Sequence, residues 1–199
     1  ADKMNWLYLD TGAMYRAMAV KMLKEKIDLN DTSSIARMAN KTQISLKQTK
    51  KGLQIFLDQE NVSGKIRTPE IDQAVGPVCE VPQVRKVLVA LQREIGRKGS
   101  IVAEGRDMGT VVFPHADLKI FLIASLQTRA KRRLKDMKKI GIKITQEELI
   151  QNIQNRDKRD STRIQSPLKK AKDSIELDTS NLSIDQQVNF IIDKIKEVT

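Results

Sequence analysis

The chain has 199 residues, a length that predicts one domain, or one domain with an insertion, and enough chain to bury a core. Lysine and arginine total 36 against 25 aspartate and glutamate, so the formal net charge of +11 favours anionic ligands. One cysteine and one histidine exclude a disulfide framework, a cysteine-rich metal site and a histidine-based zinc site. No apolar run approaches the roughly 20 residues of a membrane helix, so we expect a cytoplasmic protein with no membrane association.

The first part of the sequence predicts a strand, a turn and a helix. The apolar run at residues 6–9 predicts a strand, and apolar positions at helical spacing from Met14 to Met22 predict the helix that follows it. Thr11 lies where an N-cap is required, so we expect it to cap this helix. The N–H groups of the first turn then point beyond the end of the strand, where they favour an anion.

Strands and helices continue to alternate along the rest of the chain. Further strands are predicted over residues 100–103, 118–123 and 175–177, and the almost continuous apolar run at 118–123 is typical of a strand covered on both faces. Alternating segments predict a small antiparallel hairpin within residues 43–62, with a turn at 58–61. Further helices are predicted over residues 33–40, 68–79, 83–98, 125–141, 145–160 and, after a cap at Ser183, the end of the chain. The alternation indicates an α/β domain with a mostly parallel sheet and a ligand at the carboxyl ends of its strands.

The segment DTGAMYR, residues 10–16, places a carboxylate, a hydroxyl and a guanidinium at a strand end. Arg16 lies early in the predicted helix, and its planar guanidinium suits two phosphate oxygens. A fixed anion therefore fits this position. The alternative stays equally open, namely that Asp10 and Thr11 only cap the helix and Arg16 is exposed.

The segment EGRDMGT, residues 104–110, brings several polar groups to the end of the strand predicted at 100–103. Gly105 permits tight backbone at this position. Arg106 and Asp107 are adjacent and point in different directions, so they suit a phosphate and a base amino group respectively. A purely structural Arg–Asp pair in a turn is the alternative.

The segment RDKRDSTR carries a third group of charges on a predicted helix. Arg156, Arg159 and Asp160 have i, i+3, i+4 spacing. Arg163 follows one turn later, so one helix face is predicted to carry all four side chains. A migrating phosphoryl group requires such a cluster of guanidinium groups, and an ordinary solvated helix is the alternative. Arg85, inside an amphipathic predicted helix, either extends to the surface or contacts a base.

These clusters, in this order and at this spacing, resemble bacterial cytidylate kinase, a nucleoside monophosphate kinase of the P-loop class. The resemblance spans nearly the whole chain. The matching segments are LDTGAMYR at 9–16, IRTPE at 66–70, GRDMGTVVFP at 105–114, RAKRR at 129–133 and the arginine-rich run at 156–163. The segments at 105–114 and 9–16 are highly specific together, whereas each alone is weak.

The resemblance implies a P-loop kinase-type fold, with a parallel sheet flanked by helices, a small inserted monophosphate-binding subdomain and a helical lid. Residues 1–199 then form a single cytidylate kinase domain. Its inserted subdomain corresponds to about 38–77, its lid to about 128–163, and its core to 1–37, 78–127 and 164–199. We expect a monomer that binds small-molecule substrates and no nucleic acid.

The activity that the resemblance implies is transfer of the γ-phosphoryl group of ATP, with Mg²⁺, to CMP or dCMP. The residues that it assigns to substrate binding are Thr11, Tyr15, Arg16, Arg85, Arg106, Asp107, Arg156 and Asp160. The residues that it assigns to catalysis are Asp10, Arg159 and Arg163. No residue is assigned to a protein-bound metal.

Different parts of the nucleotide are assigned to different residues by the same resemblance. The CMP phosphate is assigned to Thr11, Arg16 and Arg106. The sugar is assigned to Arg156 and Asp160, and the transferring phosphoryl group to Arg163 and its neighbours. Cytosine is assigned to Arg85 and Asp107. Base chemistry supports this last assignment independently, because the exocyclic amine of cytosine is a donor that a carboxylate accepts, so Asp107 is expected to reject UMP.

Three features depart from the family pattern. Gly76 stands where the family usually has a serine that contacts the base, and Glu104 stands where it usually has an aspartate. No Gly-x-x-x-x-Gly-Lys-Ser/Thr segment, the loop that holds ATP phosphates, occurs in the 199 residues. We therefore expect a natural gene product longer by about two dozen residues, including a middle strand without which the sheet is split. We also expect these 199 residues to bind ATP poorly.

Two other functions are weighed against this enzyme. A basic nucleic-acid-binding module would use the charge of +11, but aromatic residues are only 4% of the chain, too few for base stacking. A catalytically inactive, truncated paralogue would act as an interaction partner. Oligonucleotide binding that CMP does not displace would favour the first alternative, and absence of CMP affinity in a well-folded sample would favour the second.

Overall fold

The computed structural model describes residues 1–49, 52–139 and 141–198. The chain divides into two compact units, Ala1–Met108 and Gly109–Thr199. The strands are β1 (Leu7–Asp10), β2 (Ile44–Thr49), β3 (Gly52–Leu57), β4 (Glu60–Asn61), β5 (Ile101–Glu104), β6 (Ile120–Ile123) and β7 (Ile175–Asp178). The α-helices are α1 (Thr11–Lys24), α2 (Thr32–Lys41), α3 (Pro69–Glu80), α4 (Pro82–Gly96), α5 (Leu126–Lys139), α6 (Gln146–Thr162) and α7 (Ile184–Val198). The predicted α/β class is therefore confirmed.

Strand pairing follows the predicted pattern of parallel strands with an antiparallel insertion. β1 is parallel to β5, and β6 is parallel to β7. β2, β3 and β4 form an antiparallel sheet. Asp58 and Gln59 join β3 to β4 with positive φ angles of 46° and 70°, which a tight hairpin turn requires. The hairpin predicted at 43–62 is thus confirmed, with β4 as an additional short strand, while its residues 50–51 lie outside the described residues.

Helix α1 is the central helix of the first unit. Its side chains Met14, Ala17, Met18 and Met22 are completely buried. It packs against α2, α3 and α4 and against β3. A helix that is apolar nearly all round is stable only inside a core, so the Ala- and Met-rich sequence explains this position. The start of α1 is thereby held rigidly at the end of β1.

The cap of α1 differs from the prediction. Asp10, not Thr11, is the N-cap, because its Oδ1 accepts a hydrogen bond from the N–H of Ala13 at 2.8 Å. Thr11 is the first helical residue, and its hydroxyl donates to the carbonyl of Glu104 at 2.7 Å. Carboxylate and hydroxyl caps are of similar strength. The neighbouring strand decides between them, since it offers Thr11 a different partner.

The described residues of the second unit form a parallel strand pair and three α-helices. α5 and α6 pack on each other, and the predicted capping box of α6 is present, with Thr145 and Glu148 exchanging hydrogen bonds. β6 pairs with β7 alone among the described residues. Leu122 on β6 is 55% exposed, so the expected cover on both faces of this strand is wrong at that position. Strand side chains point to the two faces of a sheet, so the exposure of Leu122 means that its face is not covered at that position.

Within the described part of the chain, no helix is both long enough and apolar enough to cross a membrane.

The carboxylate of Glu60 links β4 to α1 and to the turn that carries Lys65. It accepts from Lys24 Nζ at 2.8 Å and from Lys65 Nζ at 2.5 Å. These two hydrogen bonds lower the pKa of Glu60 from 4.5 to about 2, and the one from Lys24 has the larger effect. Because the folded state favours the ionised form, its contribution to stability is complete above pH 4.5 and disappears as the pH falls towards 2.

We expect Glu60→Gln to flatten the acid side of the stability curve. Unfolding by urea, followed through the fluorescence of Trp6, the chain's one tryptophan, measures stability between pH 2 and 7. The parent is expected to lose more stability than the variant between pH 4.5 and 2, and the two should run parallel above pH 5. Parallel curves below pH 4.5 as well would contradict the role of Glu60.

Candidate active site

Polar side chains gather where β1 and β5 end together. The two strands are in parallel register, with Asp10 opposite Glu104 at their last positions. The first turn of α1 begins directly after β1, and the segment from Gly105 to Asp107 begins directly after β5. Both predicted clusters of the first unit therefore emerge at one edge, as expected for the ligand side of a parallel sheet.

Thr11 and Gly105 are in close contact at this edge. The Thr11 side chain is 2% exposed, and its hydroxyl is held by the Glu104 carbonyl. A Cβ at Gly105 would overlap the Thr11 hydroxyl oxygen and would lie 2.8 Å from Cε of Met108. Glycine is therefore required here for close approach of the two backbones.

Arg85 and Asp107 form a buried ion pair, which we call the buried pair. Arg85 comes from the first turn of α4, and its Nη2 contacts Oδ2 of Asp107. The two side chains are only 6% and 5% exposed. Tyr15, one turn into α1, presents its ring 5.5 Å from the Arg85 guanidinium carbon, within cation–π range. The predicted alternative of an exposed Arg85 is thus wrong.

The side chain of Arg16, on α1, contacts α3. Its Nη2 contacts Oδ1 of Asp72 at 2.6 Å, and its Nη1 donates to the carbonyl of Ile66 at 3.2 Å. The side chain of Arg16 is 15% exposed, so it is not the freely solvated arginine of the alternative interpretation. Arg106, by contrast, is exposed next to the buried Asp107, which confirms that these adjacent side chains point in different directions.

Two contacts of the site were not predicted from sequence. The Tyr8 hydroxyl donates to Oε1 of Glu104 at 2.6 Å, and Arg67 Nη2 contacts Oδ2 of Asp10 at 3.1 Å. Burial, and then the Glu104 hydrogen bond and charge, hold the pKa of Tyr8 above its ordinary value, so Tyr8 remains a donor at neutral pH. Tyr8, Asp10, Ile66 and Arg67 help to line a cavity of about 190 Å³. One signal in the sequence could have indicated Tyr8: it precedes Asp10 by two residues, so the two side chains lie on the same face of the strand.

The arginine-rich segment of the second unit is organised around Asp160. Its carboxylate lies 3.7 Å from Nε of Arg156 and 4.0 Å from Nη1 of Arg163. Arg163 is the residue after α6 rather than part of it, so the single helix face predicted for the four side chains is wrong at this end. The Ser166 carbonyl accepts from its Nε at 2.7 Å, which holds the guanidinium. Arg159, on α6, is exposed.

Acidic side chains do not cluster into a protein metal site in the described residues. No group of three or more His, Cys, Asp or Glu side chains there has metal-binding geometry. Asp10 and Glu104 are neighbours in the strand register, but Ala13, Arg67 and Tyr8 already bond to their side-chain oxygens.

Comparison with known proteins relates this site to one family. A cytidylate kinase family model matches residues 1–197. The cytidylate kinase of Bacillus subtilis strain 168 is 42% identical over 197 residues, which cover 99% of this chain and 88% of the relative. Those of Carboxydothermus hydrogenoformans and Fusobacterium nucleatum are 43% and 41% identical, and the matches cover 98% and 100% of this chain and 88% and 89% of the relatives.

The α/β fold and these matches define the class first, that of nucleoside monophosphate kinases, which are phosphotransferases. Within that class, the chain belongs to the cytidylate kinase family. Neither the nucleic-acid-binding module nor the inactive paralogue is favoured by these findings.

Proposed function

We propose that the site of the first unit binds CMP or dCMP as phosphoryl acceptor, with the buried pair recognising the base. ATP is the donor, and its γ-phosphoryl group passes to an oxygen of the CMP phosphate, giving CDP or dCDP and ADP. The relatives' name, cytidylate kinase, supports the acceptor. The observation that carries the proposal is a carboxylate, Asp107, fixed by Arg85 in a buried position beside a strand end.

Asp107 distinguishes cytosine from uracil by hydrogen-bond polarity. The exocyclic amine of cytosine donates, and an ionised carboxylate only accepts. Uracil presents a carbonyl oxygen at the same position, so two acceptors would face each other. The Arg85 guanidinium fixes the direction of the carboxylate, while the Tyr15 ring supports Arg85 from α1.

The phosphate of CMP is proposed to bind at the start of α1. Thr11 offers a hydroxyl, Arg16 a planar guanidinium and Arg106 an exposed cation at the end of β5. The N–H groups of the first helical turn add to this positive field. Asp10 is proposed to position the phosphate-binding groups, because its carboxylate accepts from the N–H of Ala13 and so fixes the first turn of α1.

For the second unit we propose contacts to the sugar and to the transferring phosphoryl group. Arg156 and Asp160 are assigned to the sugar, where the Asp160 carboxylate can accept from a hydroxyl. Arg159 and Arg163 are assigned to the transferring phosphoryl group, whose charge is spread over its oxygens in the transition state. Fixed guanidinium groups stabilise that charge without reorganisation, and the Ser166 carbonyl fixes Arg163 in this way.

ATP is proposed to bring Mg²⁺ with its phosphates. Mg²⁺ typically keeps several waters and needs only one or two protein carboxylates, so the site chemistry does not require a three-carboxylate cluster. The 199 residues contain no Gly-x-x-x-x-Gly-Lys-Ser/Thr segment, and we propose that they bind ATP weakly by themselves. We further propose a cytoplasmic monomer, with residues 38–77 as monophosphate-binding insertion and 128–163 as lid.

Calorimetric titration of the 199-residue chain tests this proposal. CMP is expected to bind roughly 10- to 100-fold more tightly than UMP, which is the effect of one charge-assisted hydrogen bond. AMP should bind no better than UMP, and ATP with Mg²⁺ should give little heat. Equal affinities for CMP and UMP would contradict the assignment of Asp107, and absence of CMP binding by a folded sample would contradict the proposed function.

A further inference from the structure

The phosphate-binding arginine proposed above already holds an anionic group of the protein itself. Asp72, from the first turn of α3, occupies Nη2 of Arg16 at 2.6 Å. The Ile66 carbonyl occupies Nη1. A carboxylate and a phosphate present pairs of anionic oxygens to a guanidinium in the same geometry. Asp72 therefore takes a place on Arg16 that a phosphate oxygen of CMP also requires.

We propose that Asp72 is an internal competitor of the nucleotide phosphate and sets the affinity for CMP. It holds Arg16 while the site is free, and the phosphate takes over Arg16 when CMP binds. The inference rests on the proposed function, in which Arg16 binds the CMP phosphate. It adds an affinity-determining residue to that site.

The Arg16–Asp72 pair is more exposed than the Arg85–Asp107 pair, so only the first can exchange its partner. The side chain of Asp72 is 37% exposed, so the carboxylate can be solvated when the phosphate displaces it. It also lies near the N-terminus of α3, where helix N–H groups favour a negative charge without Arg16. Asp107 is 5% exposed, and release of Arg85 would leave two buried charges. Arg16 can therefore change partners at low cost, and Arg85 cannot.

Asp72→Asn tests the competition, with Glu70→Gln as the matched control. Both substitutions remove one negative charge from the first turn of α3 and keep the side-chain size. Glu70 is exposed, and among the described residues it forms no ion pair with Arg16. CMP and cytidine are titrated calorimetrically into the parent chain and both variants. Cytidine separates the contribution of the phosphate from that of base and sugar.

We expect Asp72→Asn to bind CMP about three- to fivefold more tightly than Glu70→Gln does, which corresponds to loss of one half-exposed ion pair. Cytidine affinity should be the same in all three proteins. Unchanged or weaker CMP binding in Asp72→Asn would overturn the inference and make Asp72 a residue that orients Arg16. An equal gain for cytidine would also overturn it. Absence of CMP binding in the parent would instead contradict the proposed function.

Discussion

Asp107→Asn is expected to lose both stability and the preference for cytosine. Substitution of one member of a buried ion pair leaves the other charge uncompensated, which costs about 3–5 kcal/mol. Arg85 is in this position, because its side chain is 6% exposed and pairs with Asp107. The asparagine amide would also present donors that compete with the cytosine amine. We expect CMP affinity to fall roughly 10- to 100-fold, the value of one charge-assisted hydrogen bond.

The preference between bases should change in a direction that simple unfolding cannot produce. An amide group donates as well as accepts, so it tolerates the carbonyl oxygen of uracil. The ratio of CMP to UMP affinity is therefore expected to approach one in Asp107→Asn. Calorimetry with both nucleotides measures this ratio in the folded fraction, and urea unfolding followed through Trp6 measures the stability.

A double variant, Arg85→Met with Asp107→Leu, separates stability from recognition. Replacement of a buried ion pair by apolar side chains of similar size is often neutral or stabilising. We expect this variant to unfold within about 1 kcal/mol of the parent while it fails to distinguish CMP from UMP. A double variant that still prefers CMP would show that another residue reads the base. A single variant as stable as the parent would show that Arg85 finds a different partner.

Local sequence signals were sufficient to predict the helices and strands, but not the tertiary contacts of their side chains. Alternation of strands and helices, and the caps at Thr68 and Thr145, predicted elements that the structure contains. These signals are local, because a cap and its N–H group lie three residues apart. The cap of α1 is the exception. Thr11 was expected to cap, but its hydroxyl bonds to Glu104 on a strand distant in sequence.

Contacts between distant segments explain what was missed in the site. Sequence spacing suggested that Arg16 and Asp107 bind ligands, but it gave no indication that Asp72 and Arg85 already pair with them. Such pairs depend on how α1, α3 and α4 pack, and packing is decided by the whole core rather than by a motif. The exposure of Leu122 has the same origin, since an apolar strand sequence does not indicate which elements pack on each face of the strand.

Gly105→Ala is expected to disrupt the site through a single added methyl group. The backbone at Gly105 does not have a positive φ angle, so alanine is sterically allowed by the backbone itself. The Cβ would nevertheless overlap the Thr11 hydroxyl oxygen. Thr11 is 2% exposed, so its side chain has little room to move away from the added methyl group. We expect a loss of about 1–3 kcal/mol in unfolding free energy, typical of an overpacked position.

The same substitution tests the role of Thr11 in phosphate binding. Displacement of the Thr11 side chain from its place at the start of α1 should lower CMP affinity about tenfold and leave cytidine affinity nearly unchanged. Gly64→Ala is the matched control, because a Cβ at Gly64 meets nothing within 4 Å and should change stability by no more than about 1 kcal/mol. Full CMP affinity in a destabilised Gly105→Ala protein would mean that Thr11 supports the strand ends without contacting the phosphate. The helix start and Arg16 would then hold the phosphate without it.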